Sequence, residues 1–540
     1  MHRFLNNFFL RCNSGYLKEI EESKSDPISF QRRGFATLMA GGAETAFGRE
    51  HGFMRIPCKS GDYNAEITRQ IRRFQQNVPV RDYNAIEPYI KRMREGEQNV
   101  LWNQKTKWFA KSSGTSSGKS KYIPVTPDSL RITHFGGFKR MLAWYVNSYR
   151  ETKIFSGKAL TLGGSVEADF ATMTGDLSAI LLQNSPFIAE LFRAPCRKSA
   201  LMSDFSKKIE AICRECSDKN ITNFSGVPSW NLMLMNKLLD YNKKSNIVEI
   251  WPDIELFMHG GIGFEPYRDL YKTLFPSEGM HYLENYNASE GYFSFQDDLN
   301  VDGMLLTVGN GVFYEFAPLE RLNDIISGKS LALLTLDEVS AGVDYALVIS
   351  SVNGLWRYLI GDCIRFVSLY PHRIKVIGRT QLFINAFGEE LMISNAEKAL
   401  SQACKIHNCT VSDFTVAPLF MNDTAGEGSI AGRSERFSKG KHVWVIEFGV
   451  RPYDIDSFAR DLDNQVINVN SDYEAKRRNN ATMEQLQLIA VPKGTFYNWL
   501  VVRNKVGGQN KVPRLCGDLH FVKELLADQE NLLSNGLFNN

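Results

Sequence analysis

The residues best suited to bind an anion form one short segment rich in serine, threonine and glycine. This segment, Lys111–Ser120, reads Lys-Ser-Ser-Gly-Thr-Ser-Ser-Gly-Lys-Ser. Glycines let the backbone approach a bound group, and successive N–H groups in such a turn form a nest for an anion. Further donors are the hydroxyls of Ser112, Ser113, Thr115, Ser116, Ser117 and Ser120. With Lys119 and Lys121 nearby, the segment predicts a phosphate-binding loop, and the alternative is a flexible surface loop without a ligand.

The segment differs from two known glycine motifs. A P-loop places four residues between its first glycine and its Gly-Lys pair, whereas three residues separate Gly114 from Gly118. The same residues match the G-x-S-x-G nucleophile elbow, with Ser116 as the nucleophile. Both motifs open a helix, but Tyr122–Val125 has the pattern of a strand. The sequence therefore favours neither a P-loop protein nor an α/β-hydrolase.

Two carboxylates lie in small-residue turns that a nucleotide could approach. Glu290 follows Tyr286-Asn-Ala-Ser, and a carboxylate there could hold Mg²⁺, which prefers one or two carboxylates together with phosphate oxygens. Asp362 ends the strand-like run Trp356–Gly361, and its oxygens could accept hydrogen bonds from two ribose hydroxyls. Each carboxylate alone also fits an ordinary turn, where Asp and Gly are common.

These residues need a scaffold, and the apolar periodicity indicates one of alternating helices and strands. Strand patterns over 106–110 and 121–125 flank the serine-rich loop. Helical spacing covers 62–77, 85–94, 203–216 and 230–239, and short apolar runs typical of buried strands cover 247–250, 305–308, 313–316, 331–336 and 346–349. This alternation predicts a layered α/β fold.

The pattern restarts after Gly378 and indicates a separate, smaller α+β unit. Strands are predicted over 381–384 and 442–448, and helices over 394–404 and 455–466. Residues 422–441 are dense in glycine, serine and charge, which predicts a mobile loop. We therefore predict a large N-terminal α/β domain of merged subdomains, residues 1–379, and a smaller mobile C-terminal α+β domain, residues 380–540.

The composition excludes several classes of protein. The 540 residues include 63 basic and 60 acidic residues, a net charge of +3, whereas proteins that coat nucleic acid or an anionic membrane carry a basic excess. No apolar run approaches the roughly 18–20 residues of a membrane-spanning helix. Nine cysteines, sparse and odd in number, favour reduced thiols. We therefore predict a cytoplasmic protein with no nucleic-acid or membrane partner.

One cysteine pair has the spacing of a metal or redox site. Cys213 and Cys216 form a C-x-x-C motif, but they share a helical stripe with Ile209 and Ile212. No second ligand pair has a matching spacing, so the sequence favours core packing for both thiols. The sequence also contains no H-E-x-x-H motif, and it gives no support to hydrolysis by such a zinc site.

The order of these motifs resembles the adenylate-forming superfamily, which includes acyl-CoA ligases, luciferases and adenylation domains. Within it, the chain is most similar to the auxin-responsive acyl acid amido synthetases, the plant auxin- and jasmonate-conjugating enzymes and their bacterial relatives. The resemblance rests on Ser112–Thr126, Tyr286–Gly291 and Arg357–Asp362, with weaker matches at 46–53, 225–230, 259–261, 314–316 and 507–514. The chain departs from the superfamily at Thr380-Gln381, where an acidic residue is common, and in the insertion 422–441.

The resemblance implies a reaction in two steps. A small-molecule carboxylic acid and ATP give an acyl adenylate and pyrophosphate, and an amine such as an amino acid then takes the acyl group and releases AMP. ATP and Mg²⁺ are the implied cofactors, and the acid and the amine are the implied partners. The alternatives are a ligase that uses a thiol such as coenzyme A, and a nucleotide-binding module that does not turn over.

The resemblance also implies a nucleotide site. The triphosphate would bind Ser112, Ser113, Gly114, Thr115 and Ser116, with Lys121 neutralising charge beside them. Glu290 would hold Mg²⁺, Asp362 would hold the ribose, and Tyr286 would stack on adenine. The same site would include Gly261, Ala288, Ser289 and Arg379.

Two further roles follow from the resemblance. Lys511 would bring a mobile positive charge from the C-terminal domain to the developing phosphate charge, and the alternative is a solvated surface lysine. The acyl pocket would contain Phe138, Val227 and Trp230, which could instead be ordinary core residues.

Overall fold

The computed structural model describes most of the chain: residues 2–55, 63–112, 121–169, 171–328, 333–380, 383–384, 386–387, 389, 391–420, 440–477, 483–503 and 512–527. Several predicted features lie outside these residues: Ser113, Gly114, Thr115, Ser116, Lys511 and the predicted loop 422–441 up to residue 439. The last two residues of that predicted loop, Gly440 and Lys441, instead begin a strand. Among the described residues, no helix combines the length and the apolar character needed to cross a membrane.

Among the described residues, six α-helices precede the first strand, and helices and strands are interspersed after it. The α-helices are α1 (His2–Cys12), α2 (Ser14–Ser25), α3 (Pro27–Gly42), α4 (Ala46–Glu50), α5 (Tyr63–Asn77), α6 (Tyr83–Arg94), α7 (Phe135–Ser148), α8 (Leu177–Asn184), α9 (Arg197–Ala200), α10 (Phe205–Cys216), α11 (Pro228–Asn242), α12 (Arg268–Leu274), α13 (Leu322–Ile326), α14 (Ile393–His407), α15 (Ile455–Val469), α16 (Ser471–Arg477), α17 (Thr495–Val502) and α18 (His520–Leu526). Short 3₁₀ turns cover Phe187–Phe192, Ile247–Glu249, Glu265–Tyr267 and Leu319–Arg321, and a π-helical turn covers Ser129–His134.

The described strands are mostly short. They are β1 (Trp108–Ser112), β2 (Lys121–Val125), β3 (Lys158–Thr161), β4 (Val166–Asp169), β5 (Thr172–Gly175), β6 (Arg193–Ala194), β7 (Ile221–Gly226), β8 (Leu256–His259), β9 (His281–Ala288), β10 (Gly291–Phe295), β11 (Met304–Leu306), β12 (Val312–Pro318), β13 (Asp344–Ser351), β14 (Tyr358–Leu369), β15 (His372–Arg379), β16 (Phe383–Ile384), β17 (Leu391–Met392), β18 (Thr410–Phe420), β19 (Gly440–Val450) and β20 (Gln487–Val491).

Contacts divide the chain into two compact units. Among the described residues, the first unit contains the chain up to Ile262 and Leu274–Val376, and the second contains Gly263–Thr273 and the chain from Ile377 onward. The mixed helix and strand content confirms the predicted α/β class. That residues 1–379 and 380–540 form two domains that move relative to each other stays a prediction.

A mixed sheet forms the centre of the first unit, in the order β12-β13-β14-β15-β11-β10-β9-β8-β7-β3-β6. Strands β6, β3, β7, β8 and β9 run parallel, and β9 pairs antiparallel with β10. All four residues of β8 are buried, as is typical of a parallel strand that is covered on both faces. The sheet therefore has a parallel half and an antiparallel half that meet at β9.

A second sheet of the first unit carries the serine-rich loop. Its order is β2-β1-β5-β4, and β1 pairs antiparallel with β2 so that Ser112 lies opposite Lys121. The predicted strands on both sides of the loop are thus confirmed. Because a strand follows the loop, the structural context of a P-loop or a nucleophile elbow is missing.

Three sequence predictions need correction. The run Ile247–Ile250 is not a strand, because the Asn246 side chain accepts a hydrogen bond from the Glu249 amide and caps a 3₁₀ turn. In the described part of the predicted strand 331–336, Leu334 forms only an isolated bridge with Phe316. Asp362 does not end a strand but lies inside β14.

Several predictions on helices and core packing are confirmed. The helix predicted over 62–77 is α5, and Ile67, Ile71 and Phe74 on it are buried. Cys213 and Cys216 are buried on α10, and burial raises the pKa of the Cys216 thiol to about 12. A thiol of that pKa stays protonated and packs as a small apolar side chain.

The second unit contains a three-stranded sheet, β18-β19-β20, and the two-stranded sheet β16-β17. Helices α14 and α15 pack against each other, and the core beside them contains Leu400, Phe414, Trp444, Phe458 and Leu462. The helix predicted over 394–404 and the strand predicted over 442–448 are therefore confirmed as α14 and β19.

A fully buried ion pair joins three elements of the first unit. Arg357, just before β14, contacts both carboxylate oxygens of Glu315 on β12 at 3.1–3.2 Å. The same guanidinium donates to the carbonyl oxygens of Gln75 and Val78, at 2.8 and 2.7 Å. Arg357 also has a φ of +44°, a left-handed conformation that is uncommon for a residue other than glycine. The ion pair and the two carbonyl bonds hold the backbone in this strained conformation.

We expect Glu315→Gln to lower the free energy of unfolding by about 3–5 kcal/mol, because it leaves the buried guanidinium without its counter-charge. Urea denaturation followed by circular dichroism measures the change. The matched control is Asp344→Asn, which breaks the more exposed Arg365–Asp344 pair on β14 and β13 and should cost less than about 1 kcal/mol. Equal losses of unfolding free energy in the two variants would contradict the prediction that the buried pair contributes more than the exposed one.

A buried histidine ends the π-helical turn before α7. His134 is 2% exposed, and its Nδ1 lies 3.1 Å from the Asn287 side-chain oxygen on β9. Burial lowers the pKa of His134 from 6.5 to about 4, so the ring is neutral near pH 7. Since the Asn287 oxygen can only accept, the ring proton lies on Nδ1.

His134 should make folding pH-dependent. Its pKa is lower in the folded chain than in the unfolded chain, so the unfolded chain binds the extra proton between pH 6.5 and 4. The stability it contributes is therefore complete above about pH 6.5 and is lost as the pH falls towards 4, by up to roughly 3 kcal/mol. The His134→Asn variant keeps a donor for Asn287. Its free energy of unfolding, measured by denaturation, should change less with pH over this range than that of the wild type.

The matched control for this measurement is His520→Asn. His520 is exposed, so its replacement should leave the wild-type slope unchanged. If the free energy of unfolding of His134→Asn depends on pH as strongly as that of the wild type, this histidine does not contribute to the pH dependence of folding.

Candidate active site

Two loops and one turn of the first unit lie at the same edge of its parallel strands. Val227–Trp230 follows β7, Gly260-Gly261 follows β8, and Ser289-Glu290 follows β9. Gly226 at the end of β7 lies opposite His259 at the end of β8, and β9 is the next strand. In open α/β sheets, ligands bind in the crevice at the carboxyl ends of the strands. Three of the predicted motifs therefore follow the carboxyl ends of neighbouring strands, on the side of the sheet where such a ligand would bind.

The loop after β8 lies directly against the neighbouring strand. A Cβ atom added to Gly260 would lie 2.2 Å from the backbone oxygen of Asn285 on β9, so only glycine leaves room for this approach. Gly261 has a φ of +84°, which favours glycine as well. The Asn285 side chain also donates to the His259 carbonyl oxygen at 3.0 Å. The predicted ligand Gly261 is thus held at the edge of β9.

Glu290 lies in a tight two-residue turn between β9 and β10. Ala288 pairs with Gly291, and Ser289 and Glu290 between them are each 8% exposed. A Cβ atom on Gly291 would lie 2.8 Å from the Phe293 ring, so the turn fits closely against the core. The predicted magnesium ligand therefore sits on a backbone with little freedom.

The predicted ribose ligand is joined to the same hairpin. The Tyr286 hydroxyl on β9 donates to Asp362 Oδ2 at 2.5 Å, and the Tyr286 ring contacts the Phe293 ring edge-on with centroids 5.0 Å apart. Asp362 lies in a bulge of β14, where residues 360–362 face Leu347 alone and Gly361 has a φ of +93°. Bulges of this kind redirect side chains and are common beside active sites.

Two more side-chain bonds link the motifs. The Asn353 amide, in the turn between β13 and β14, donates to the Glu290 carbonyl oxygen at 2.8 Å. Thr126, directly after β2, donates to the Val352 carbonyl oxygen at 2.7 Å. The segments Ser112–Thr126, Tyr286–Gly291 and Arg357–Asp362, which carry the sequence resemblance, are therefore connected through one turn and one hairpin.

Aromatic rings support the base of the serine-rich loop. Lys121 at the start of β2 has its Nζ 5.8 Å from the centre of the Tyr83 ring. The Tyr83 hydroxyl accepts a hydrogen bond from the Tyr122 amide at 2.9 Å, and the Arg94 guanidinium lies 3.7 Å from the Tyr122 ring centre. Ser112 is the last residue of β1, opposite Lys121. Lys121 on β2 and Arg94 at the end of α6 thus each lie over an aromatic face near the base of the loop.

The residues predicted for the acyl pocket lie on two elements. Val227 precedes α11 and Trp230 lies in its first turn, both half-buried at the carboxyl edge of β7. Phe138 lies on α7, which packs on β10 through Gly137 and Tyr292, and it is 37% exposed. The structure therefore brings Val227 and Trp230 together and places Phe138 on a different helix.

The remaining predicted ligands belong to the C-terminal part of the chain. Arg379 ends β15 and belongs to the second unit. Arg514 lies in the same motif as Lys511, and its guanidinium donates to the Tyr267 hydroxyl at 2.5 Å and to the Phe414 carbonyl oxygen at 2.9 Å within the second unit. It also forms an ion pair with Asp413. The described end of this motif is therefore fixed to β18.

Sequence reasoning missed several residues of the site. Asn353 and His134 were not identified, although Asn353-Gly354 after a buried strand is a recognisable turn signal. The partner of Asp362 was missed too, since Tyr286 was considered only for stacking. Each of these residues acts through a partner distant in sequence, which a local motif does not contain.

Comparisons with known proteins match this chain along most of its length. The GH3 family N-terminal domain matches residues 16–172 and 165–280, the GH3 family central domain matches 305–379, and the GH3 family C-terminal domain matches 394–520. The jasmonoyl-L-amino acid synthetase JAR6 of Nicotiana attenuata is 24% identical over an alignment that covers 82% of this chain and 85% of the relative.

Solved structures share the fold. The GH3.15 acyl acid amido synthetase superposes with a TM-score of 0.72 at 16% identity, and 96% of each chain is covered. A 2-hydroxyisobutyryl-CoA ligase in the postadenylation state superposes with a TM-score of 0.58 at 13% identity, covering 95% of this chain and 93% of the other. The family models cover two of the three segments that carry the sequence resemblance, Ser112–Thr126 and Arg357–Asp362. The chain therefore belongs to the GH3 family, and the enzyme class predicted from its motifs, a ligase, is confirmed.

Proposed function

We propose that this chain activates a small carboxylic acid with ATP and transfers the acyl group from the adenylate to an amine, most readily an amino acid. The observation that carries the proposal is the set of side-chain bonds that joins the end of β2, the Glu290 turn and the Asp362 bulge through the turn at Val352-Asn353. A nucleotide bound there would contact all three motifs at once. Its cleavage between the α- and β-phosphates would leave AMP on the acid.

The chemistry explains why such a site needs no nucleophilic side chain. A carboxylate is a poor acyl donor because oxide is a poor leaving group, whereas the mixed anhydride with AMP has a good one. Attack of the carboxylate on the α-phosphorus is a phosphoryl transfer, in which positioning and electrostatic stabilisation dominate. The tight turns and buried clamps of this site supply the positioning.

The residues at the Glu290 turn suit a hard cation. Mg²⁺ prefers carboxylate oxygens together with phosphate oxygens, and Glu290 supplies a carboxylate at the strand edge where the phosphates would lie. When bound, the ion would neutralise charge on the phosphates. Glu290 would hold it, while Ser112, Ser113, Gly114, Thr115, Ser116 and Lys121 would bind the triphosphate.

Asp362 is suited to the ribose. A carboxylate offers about four acceptor positions, so one that accepts from Tyr286 can also accept from two ribose hydroxyls. The hydrogen bond from Tyr286 fixes the direction of those acceptors. Gly261, Ala288, Ser289 and Arg379 would line the same nucleotide site, with the Tyr286 ring beside the adenine.

The second step requires access for an acceptor. By resemblance to the family, residues 380–540 would rotate between the half-reactions, and Lys511 would contact the phosphate during adenylation. Val227 and Trp230, at the carboxyl edge of β7, would contact the acyl group, with Phe138 contributing from α7. A thiol acceptor is the second candidate, because the CoA ligase above shares the fold.

The thiols of Cys12 and Cys196 are exposed and belong to no disulfide, which supports a reducing, cytoplasmic location.

Acid-dependent exchange of labelled pyrophosphate into ATP tests the first step. With a broad panel of carboxylic acids, the wild-type chain should catalyse exchange, and Glu290→Gln should lower the rate by about 100-fold or more, because charge stabilisation at the phosphates is lost. The matched control is Glu278→Gln, an exposed glutamate before β9 at the opposite end of the strand, which should keep the wild-type rate. If no acid supports exchange, or if Glu290→Gln exchanges normally, the proposed site is wrong.

Product analysis tests the second step. With an acid that supports exchange, ATP and an equimolar mixture of amino acids and coenzyme A, mass spectrometry should detect the acyl amide as the main product. A thioester as the main product would show that the acceptor is a thiol and not an amine. Nucleotide binding without acid-dependent exchange would instead identify a binding module that does not turn over.

A further inference from the structure

We infer that Asn353 is a positioning residue that sets the orientation of Glu290, an inference that rests on the proposed role of Glu290 in the nucleotide site. Asn353 is 1% exposed, and its side-chain amide donates to the backbone oxygen of Glu290 at 2.8 Å. It acts on the peptide that carries the glutamate, so it would influence the nucleotide site without contacting a ligand.

Asn353 constrains the Glu290 turn from outside its hairpin. In a two-residue turn, the strand ladder ends at the flanking pair, here Ala288 and Gly291. The orientation of the Glu290 peptide therefore depends on contacts from outside the hairpin. Asn353 supplies such a contact with a directional hydrogen bond, and a rotated peptide would turn the Glu290 side chain with it.

Asn353 also links Glu290 to the rest of the site. It lies in the turn between β13 and β14, and β14 carries Asp362 nine residues later. The same turn is held by Thr126 through the Val352 carbonyl oxygen. Together with the bond from Tyr286 to Asp362, the Asn353 amide fixes the two carboxylates relative to each other.

The chain provides a matched control in Asn310. This residue is also fully buried, and its side-chain amide donates to the backbone oxygen of Tyr292, two residues after Glu290, at 2.7 Å. Both asparagines have a buried Oδ1 without a hydrogen-bond partner among the described residues. Truncating either residue removes the same group from a similar environment, but only Asn353 contacts Glu290.

The test is equilibrium binding of ATP by calorimetry, without acid, at a series of Mg²⁺ concentrations. Residues that orient a metal ligand typically contribute 10–100-fold to metal affinity. Asn353→Ala should therefore raise the half-saturating Mg²⁺ concentration by about 10–100-fold, whereas Asn310→Ala should change it by less than about threefold. The rate of acid-dependent pyrophosphate exchange should likewise fall more in Asn353→Ala than in Asn310→Ala.

A second background separates positioning from general destabilisation. In Glu290→Gln, where the metal ligand is already lost, adding Asn353→Ala should not change the Mg²⁺ dependence further, although it should still lower the thermal midpoint. Asn353→Ser provides a smaller change if the alanine variant does not fold, and it should give an intermediate shift.

Two results would overturn the inference. One is an equal Mg²⁺ shift in the Asn353 and Asn310 variants, and the other is an undiminished effect of Asn353→Ala in the Glu290→Gln background. Loss of exchange in Glu290→Gln together with either result would leave the proposed function intact and remove only the role of Asn353. Normal exchange in Glu290→Gln would contradict both the proposed nucleotide site and the role of Asn353.

Discussion

The buried ion pair between Arg357 and Glu315 is the constraint on which the geometry of the first unit depends. It brings a full positive charge out of water, which is favourable only because the carboxylate and two backbone carbonyls surround the guanidinium. The same contacts hold Arg357 in a left-handed conformation directly before β14. Asp362 lies five residues further on, so the pair fixes the start of the strand that carries Asp362.

The site is assembled from hairpins and turns that side chains join together. The strand ladders fix each element internally, and three hydrogen bonds, from Thr126, Asn353 and Tyr286, fix the elements relative to one another. All three bonds lie within the first unit. The bonds from Thr126 and Asn353 are buried, where the low local dielectric strengthens a hydrogen bond.

Local patterns were sufficient to predict the elements that flank the chemistry. Alternating apolar residues predicted β1 and β2 around the serine-rich loop, and helical spacing predicted α5, because these patterns reflect burial of one face. The strand prediction for Ile247–Ile250 was wrong because a short apolar run does not distinguish a strand from a turn. The hydrogen bond to the Asn246 side chain stabilises the turn.

The contacts within the site could not be predicted in this way. Tyr286 and Asp362 are 76 residues apart, and Asn353 and Glu290 are 63 residues apart, so their pairing depends on the order of the strands in the sheet. The bulge at Asp362 depends on its register against β13, which the sequence of β14 alone does not contain. The motifs therefore propose which residues act, and the sheet determines which of these residues meet.

The location of these bonds also bears on how a two-step reaction can proceed. An enzyme that activates an acid and then exchanges pyrophosphate for an acceptor must hold the adenylate still while the second partner changes. If the metal carboxylate, the ribose carboxylate and the base of the phosphate loop were fixed by contacts with the second unit, any movement of that unit would disturb the adenylate. In this chain the bonds between those groups belong to the first unit alone. The bonds that hold Glu290, Asp362 and the end of β2 relative to one another are therefore independent of the residues proposed to rearrange between the steps.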